Sequence, residues 1–270
     1  MGMATALARA ATSARPALYS LTISTDRRDR VAVQRLRHRV FSAEPGFRLP
    51  DDAASRDGRD ADRFDDHCDH LLVRYEPTGE VVGCYRMLPP DAAERAGGYY
   101  SANEFDLTGL APHRNRIVEM GRACVAAEHR TGSVVALMWS GILGYLELTR
   151  HDVVMGCVSV PMERPGTDRG GDVRGVRDLV RSRHAYEPGV VTPRRRVVVG
   201  GRTLDEIAPP PRTAVPPLMR GYLRIGARVC GEPSFDPEFD VADFVTVLAL
   251  ADADRRYLER LRGAADAVRS

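Results

Sequence analysis

Lysine is absent from the 270 residues: all 39 basic positions are arginine. A chain without lysine forms no Schiff base and carries no P-loop lysine, so both chemistries are excluded. Aromatic residues are scarce as well, at 6% with a single tryptophan, Trp139. Basic patches interleaved with aromatics, which stack on nucleic acid, are missing. With a pI of about 8.3, a nucleic-acid partner is not expected. The five cysteines, Cys68, Cys84, Cys124, Cys157 and Cys230, show no paired spacing, which points to reduced thiols and a cytoplasmic location. No unbroken apolar run reaches the ~18 residues of a membrane span, so none is expected to cross a bilayer. Residues 1–19 lack acids and lack the apolar core of a secretory signal. They read as a disordered basic tail, or as a short helix touching an anionic membrane peripherally from its inner face.

What is present suits one core. A hydrophobic fraction of 43% over this length supports a single domain, placed at 20–262. Charge is unevenly distributed along it. Residues 51–69 hold eight Asp against three Arg, whereas 164–202 hold ten Arg against four acids. Residues 162–214 are rich in Pro, Gly and Arg with only short periodic pieces, notably 173–184, and read as an excursion from the core.

Period and punctuation give the elements. SLTIST (20–25) reads as a strand and 29–41 as a helix with Val31, Leu36, Val40 and Phe41 on its apolar face. An irregular acidic loop follows over 44–66. HLLVRY (70–75) and EVVGCYRML (80–88), joined through Glu76-Pro77-Thr78-Gly79, form the clearest hairpin. Residues 117–125 predict a strand, 133–149 an apolar helix whose Gly141 and Gly144 admit a close neighbour, and 152–160 a buried strand. Strand, helix and strand imply a parallel pair. Residues 217–233 predict a helix stopped at Gly-Glu-Pro, and 244–250 a last strand. In VEMGRACV (118–125), Glu119 and Arg122 are the only charges in an apolar run, and charges buried without purpose are costly.

The blocks LRHRVF, DRFDDHCDHLL, GCYRMLPP, SANEFDL, VEMGRACV and GYLRIGARVCGEPSFDPEFDVADF resemble the ornithine N-acyltransferases of ornithine-lipid synthesis over about residues 20–260. The first-half blocks are more distantly similar to acyl-homoserine lactone synthases. The resemblance implies an α/β GNAT-like acyltransferase fold: a central mixed, mostly antiparallel sheet with a splayed parallel strand pair, flanked by helices. It implies transfer of a long-chain acyl group from a thioester to the α-amine of an amino acid, ornithine first, giving a lyso-ornithine lipid. Carried onto this chain, the family pattern falls on Arg37 and Phe41, then Asp60, Asp62 and Asp65, then Arg86, then Glu119 and Arg122.

Chemistry fits these positions. An α-amine of pKa about 7.7 to 8.0 is mostly protonated at neutral pH and must be deprotonated before attack. Glu119, among apolar neighbours, is suited to be the base, with Arg122 beside it in the catalytic pair. Asp60, Asp62 and Asp65 suit the acceptor's ammonium, and Arg86 and Arg122 its carboxylate, although an Arg beside an acid in a core strand is often only a satisfied ion pair. The donor is expected along Cys124, Val125, Arg130, Gly132 and Ser133. There Arg130-Thr131-Gly132-Ser133-Val134 departs from the glycine-rich pyrophosphate turn of GNAT enzymes, which favours acyl carrier protein over acyl-CoA as donor. Arginines at 174, 177, 181 and 183, or at 194–196, are the expected carrier-docking face. No further cofactor is implied, and no metal: His67, Cys68 and His70 are too closely spaced to ligate one ion. Cys124 is expected to pack rather than carry an acyl group. The alternatives are an N-acyltransferase making a signal or natural product from another amine, and a non-catalytic acyl-binding or membrane-associated protein.

Overall fold

The computed structural model describes residues 17–44 and 52–269. The tail assigned to 1–19 lies outside the described residues up to position 16, as does 45–51 of the acidic loop. In chain order, β1 (Tyr19–Ser24) is followed by α1 (Arg27–Ser42), the short α2 (Ala53–Arg56), β2 (Asp69–Tyr75) and β3 (Glu80–Leu88). Next come α3 (Pro90–Arg95), β4 (Phe105–Asp106), β5 (Ile117–Val125), α4 (Gly132–Thr149) and β6 (Val153–Pro161). The last third holds α5 (Gly171–Arg183), β7 (Thr192–Pro193), β8 (Val198–Val199), β9 (Arg202–Thr203) and α6 (Pro217–Ile225), then β10 (Arg228–Val229), β11 (Ser234–Asp236), β12 (Val241–Ala249) and α7 (Arg255–Arg269).

The hairpin organises the sheet. β2 and β3 pair antiparallel from Asp69↔Met87 to Tyr75↔Glu80, β1 joins the free edge of β2, and β5 joins the other edge of β3, also antiparallel. Its next neighbour, β6, is parallel. The ladder between them spans only Ile117↔Val153, Val118↔Val154 and Glu119↔Met155, after which the two strands part. β12 covers the far edge of β6 over nine antiparallel pairs, with β10 and β11 on its outer side. The sheet is therefore mixed, mostly antiparallel and split at one place, and this is the GNAT-like acyltransferase arrangement that the resemblance implies.

Two local features set the split. Gly156 lies where the ladder ends, and a Cβ there would fall 2.5 Å from the Met120 carbonyl oxygen, so only glycine lets β6 approach β5 at that point. On β5, the register against β3 slips between Cys84 and Arg86, and Arg122 takes a left-handed φ of 51°. This is a β-bulge. It stores roughly 1–2 kcal/mol at a residue with a Cβ and turns the guanidinium out of the alternation.

The helices cover the two faces. α1 is capped by Asp26, whose carboxylate accepts from the Arg28 N–H at 2.7 Å, and it buries Val33, Leu36, Val40 and, unusually, Arg37 against the sheet. α4 lies on the opposite face, where a Cβ on Gly141 would come within 2.7–2.9 Å of Leu21 and Leu71 methyl carbons. Gly144 has no such neighbour, so only one of the two glycines serves close approach. By length and mean hydropathy α4 could cross a membrane, although it contains no unbroken apolar run of that length. Here its Leu137, Met138, Ile142, Leu143 and Leu146 pack on the sheet and α7. The helix foreseen over 217–233 stops at Ile225, because Gly226 takes φ 110° and the chain turns into β10. Within 162–214, α5 packs Val173, Val176 and Val180 against Val158 and Val160 of β6.

Two glycines with opposite surroundings provide a check. Gly156→Ala should lower the unfolding free energy by about 1–3 kcal/mol through overpacking, whereas Gly144→Ala, with open space beside a helical position, should raise it by up to about 1 kcal/mol. Urea midpoints measured side by side test both signs.

Candidate active site

Alternation and register put His70, Arg86, Leu88 and Glu119 on one face of the sheet, the face covered by α1. There three arginines meet three aspartates. Arg37 from α1 grips Asp65 with both terminal nitrogens, at 2.9 and 2.7 Å, and its Nε lies 2.8 Å from Asp60. Gln34 donates to Asp65 at 3.0 Å, and Arg37 also reaches the Asp60 carbonyl. Arg86 from β3 donates to Asp62 at 2.6 Å and to Asp65 at 3.1 Å. Arg122 from the bulge stands 3.4 Å from both Asp60 and Asp62. Burial opposes the charge on Asp65, yet Arg37 and Arg86 outweigh it and hold that carboxyl well below its usual range.

The network has an inner and an outer part. Arg37, Asp65 and Arg86 are buried with their charges mutually engaged, so they brace the site and present nothing to an acceptor. This corrects the expectation that Asp65 holds the ammonium. Asp62 and Arg122 keep 23% and 16% of their side chains exposed, and they form the open edge. Phe41 packs at the margin of the core, half-buried.

Glu119 is 4% exposed. Its carboxylate accepts three hydrogen bonds: from the Tyr100 N–H at 2.5 Å, the Ser101 N–H at 2.8 Å and the Ser101 hydroxyl at 2.5 Å. Burial nonetheless prevails over these donors and over Arg86, so the carboxyl titrates above its ordinary value. The Tyr100 ring lies 5.4 Å from the Arg86 guanidinium and 5.2 Å from that of Arg122, which ties the base to the network. Sequence reasoning gave Tyr100 and Ser101 no role. They sit in a short 3₁₀ turn with no periodic signal, and their main-chain N–H groups bond whatever the side chain.

Where β5 and β6 part, the opposite face opens into a narrow apolar cleft lined by Tyr85, Met120, Trp139, Tyr222, Leu248 and, between the strands, Cys157. The Cys157 sulfur is 3.3 Å from the Ser101 hydroxyl. The cleft thus reaches within two contacts of Glu119. Tyr85 and Tyr222 join hydroxyl to hydroxyl beside it.

Past the bulge, Val125 accepts at its carbonyl from Arg130, which also pairs with Glu44. Gly132 and Ser133 open α4, whose first turn carries no side-chain cap. Cys124 departs from this group: its sulfur faces Cys84 at 3.5 Å in the core. That hydrogen bond and then burial push its thiol well up, so it offers no nucleophile and no side-chain contact to a donor. His70 donates from Nε2 to the Asp65 carbonyl at 3.0 Å, and Cys68 is buried nearby, both as packing. A group that sequence reasoning missed is Glu104, Asp236 and Asp243, whose carboxylate oxygens lie within 4.8 Å of one another on the Glu119 face beyond β6. Burial first, and neighbouring negative charge second, push Glu104 and Asp243 upward, while the Ser159 hydroxyl donates to Asp243 at 2.6 Å.

Comparison with known proteins speaks to family and fold. The acetyltransferase (GNAT) domain model matches residues 36–140. The L-ornithine N(alpha)-acyltransferase of Agrobacterium fabrum is 32% identical over 261 residues, covering 91% of this chain and 86% of that protein. Its counterpart from Rhizobium meliloti is 35% identical over 240 residues, covering 84% and 78%. Among solved structures, a CoA-dependent acyl-homoserine lactone synthase, BjaI, with SAM and isopentyl-CoA, aligns with a TM-score of 0.50 at 15% identity over 92% of this chain and 90% of that one, a likeness of fold. The chain belongs to the L-ornithine N(alpha)-acyltransferase family and is an N-acyltransferase on the GNAT fold.

Proposed function

We propose that this protein joins a long-chain acyl group, delivered as an acyl carrier protein thioester, to the α-amine of ornithine, giving a lyso-ornithine lipid. The observation that carries the reading is a carboxylate of raised pKa held at the end of the β5–β6 ladder, where the strands part over an apolar cleft. The relatives named above act, by their names, on L-ornithine. In this reading the acyl chain lies in the cleft beside Met120, Trp139 and Tyr222. The acceptor lies on the other face, its carboxylate on Arg122 and its α-amine toward Glu119.

The proton balance is simple. An ammonium that becomes an amide nitrogen loses two protons; Glu119 takes one, directly or through a water, as the C–N bond forms and the C–S bond breaks. One proton ends on the departing thiolate and the other in solvent. A thiol of pKa about 8.5 leaves readily. The Glu104, Asp236 and Asp243 carboxyls stand close enough together to receive the acceptor's second ammonium, whose charge would relieve the burial and repulsion that push Glu104 and Asp243 upward, and this favours a diamino acid over a neutral one.

Carrier docking takes a narrower surface than the sequence implied. Arg174 and Arg177 pair with Asp178, Asp205 and Glu232, so their charge is largely neutralised within the chain. Arg183 and Arg194–Arg196 remain exposed as the acidic carrier's counterpart. A cytoplasmic protein whose product is a lipid has reason to touch the inner membrane face peripherally, and the 1–19 tail is the segment assigned to that contact.

Four measurements check the proposal. Glu119→Gln should cut thiol release from acyl carrier thioester plus ornithine at least about tenfold. In the unaltered enzyme the rate should fall as pH drops through the raised Glu119 pKa, because only the ionised form accepts a proton. Arg122→Gly should raise the KM for ornithine about tenfold or more by removing a charged contact while leaving the urea midpoint no lower, since the bulge loses its strain. Asp243→Asn should narrow the preference for ornithine over norvaline, and an unchanged ratio would remove the acidic group from the acceptor site.

A further inference from the structure

Of the three donors to Glu119, two are main-chain N–H groups with fixed direction, and the third is the hydroxyl of Ser101, which rotates about one bond. Ser101 is 1% exposed, so no bulk water competes for that hydroxyl. On its far side the Cys157 sulfur stands 3.3 Å away, where either atom can act as donor. Two hydrogen-bond patterns are therefore open to the row Cys157, Ser101, Glu119. With Glu119 ionised, the thiol donates to the Ser101 oxygen and the hydroxyl donates to the carboxylate. With Glu119 protonated, the carboxylic acid donates to the Ser101 oxygen and the hydroxyl turns to the sulfur, which accepts weakly.

Resting on the base role of Glu119 proposed above, we infer that Ser101 is a positioning residue whose rotating hydroxyl, backed by Cys157, lets the base hold either protonation state without moving. No bond to carbon changes in this step; one proton enters at Glu119 and the row of donors reverses. The fixed N–H groups can only donate, so the hydroxyl is the one of the three contacts able to accept from Glu119 once it is protonated, in a weaker bond than the one it donates to the carboxylate. The other charged or titratable groups facing Glu119 are Arg86 on β3, Cys68 ahead of β2, Tyr99 and Tyr100 on the loop, and Cys157 on β6. Among them only Cys157 touches the Ser101 hydroxyl. Cys157 is also the first residue of β6 past Gly156, at the mouth of the split, so a thioester entering there passes the row directly.

The test uses the full-length protein and reads Glu119 itself. With glutamate labelled at its carboxyl carbon, the infrared band lost in Glu119→Gln assigns the group, and its titration is followed without substrate. Ser101→Ala should move that titration to higher pH, because a donor to the charged form is gone, and should lower kcat about tenfold with the KM for ornithine within about twofold. Ser101→Thr, which restores a hydroxyl, should return both toward the starting values. Cys157→Ser should be tolerated better than Cys157→Ala. An unmoved Glu119 titration in Ser101→Ala, or a fall in kcat that Thr does not rescue, overturns the inference even where acyl transfer itself is intact. Absent acyl transfer in the unaltered protein would instead sink the reading on which it rests, while the infrared titration still decides what Ser101 does.

Discussion

The parting of β5 and β6 after three ladder pairs is the constraint on which the rest of this fold depends. Neighbouring strands ordinarily continue pairing, because an unpaired main-chain group away from water costs as much as a lost hydrogen bond. Here each strand is secured on its other side instead, β5 by β3 and β6 by nine pairs with β12. The split is thus a gap between two well-made half-sheets. Gly156 keeps it narrow at its origin and the bulge at Arg122 turns β5 away, so the opening has a fixed apex with Glu119 at it.

Around that apex the charges are arranged by depth. Three guanidiniums and three carboxylates in mutual contact can be buried where a lone member could not, since each ion loses water but gains two partners. The inner members, Arg37, Asp65 and Arg86, tie α1 and the acidic loop to β3. Only the outer members retain access to solvent. An acid beside this network remains protonatable because burial disfavours its charge more than the donors of Tyr100 and Ser101 and the nearby Arg86 favour it.

Much of the architecture was legible in the sequence, and the reasons are local. The hairpin, β5 and α4 announce themselves by alternation, by the Pro-Thr-Gly turn and by an apolar run bounded by polar residues, and each falls within a residue or two of its expected bounds. Glu119 and Arg122 stood out as charges in an apolar strand. What was not legible depends on distant partners. Asp65 resembled its neighbours until Arg37 and Arg86 enclosed it, and the Glu104, Asp236 and Asp243 group joins residues more than 130 positions apart. Ser101 acts partly through its main chain, which composition cannot reveal. The overlong helix at 217–233 failed for a simpler reason: Gly226, in a helical pattern, ended the helix five residues ahead of Gly231-Glu232-Pro233.

The left-handed residue at 122 places two demands on a single position. Main-chain geometry there would be most at ease with glycine or asparagine, whereas the open edge of the charge network calls for a guanidinium. Variants selected for robustness alone would discard the arginine and keep the bend. The arginine's pairing with Asp60 and Asp62 is set against that cost, so this position exchanges main-chain ease for a fixed positive charge at the rim of the sheet.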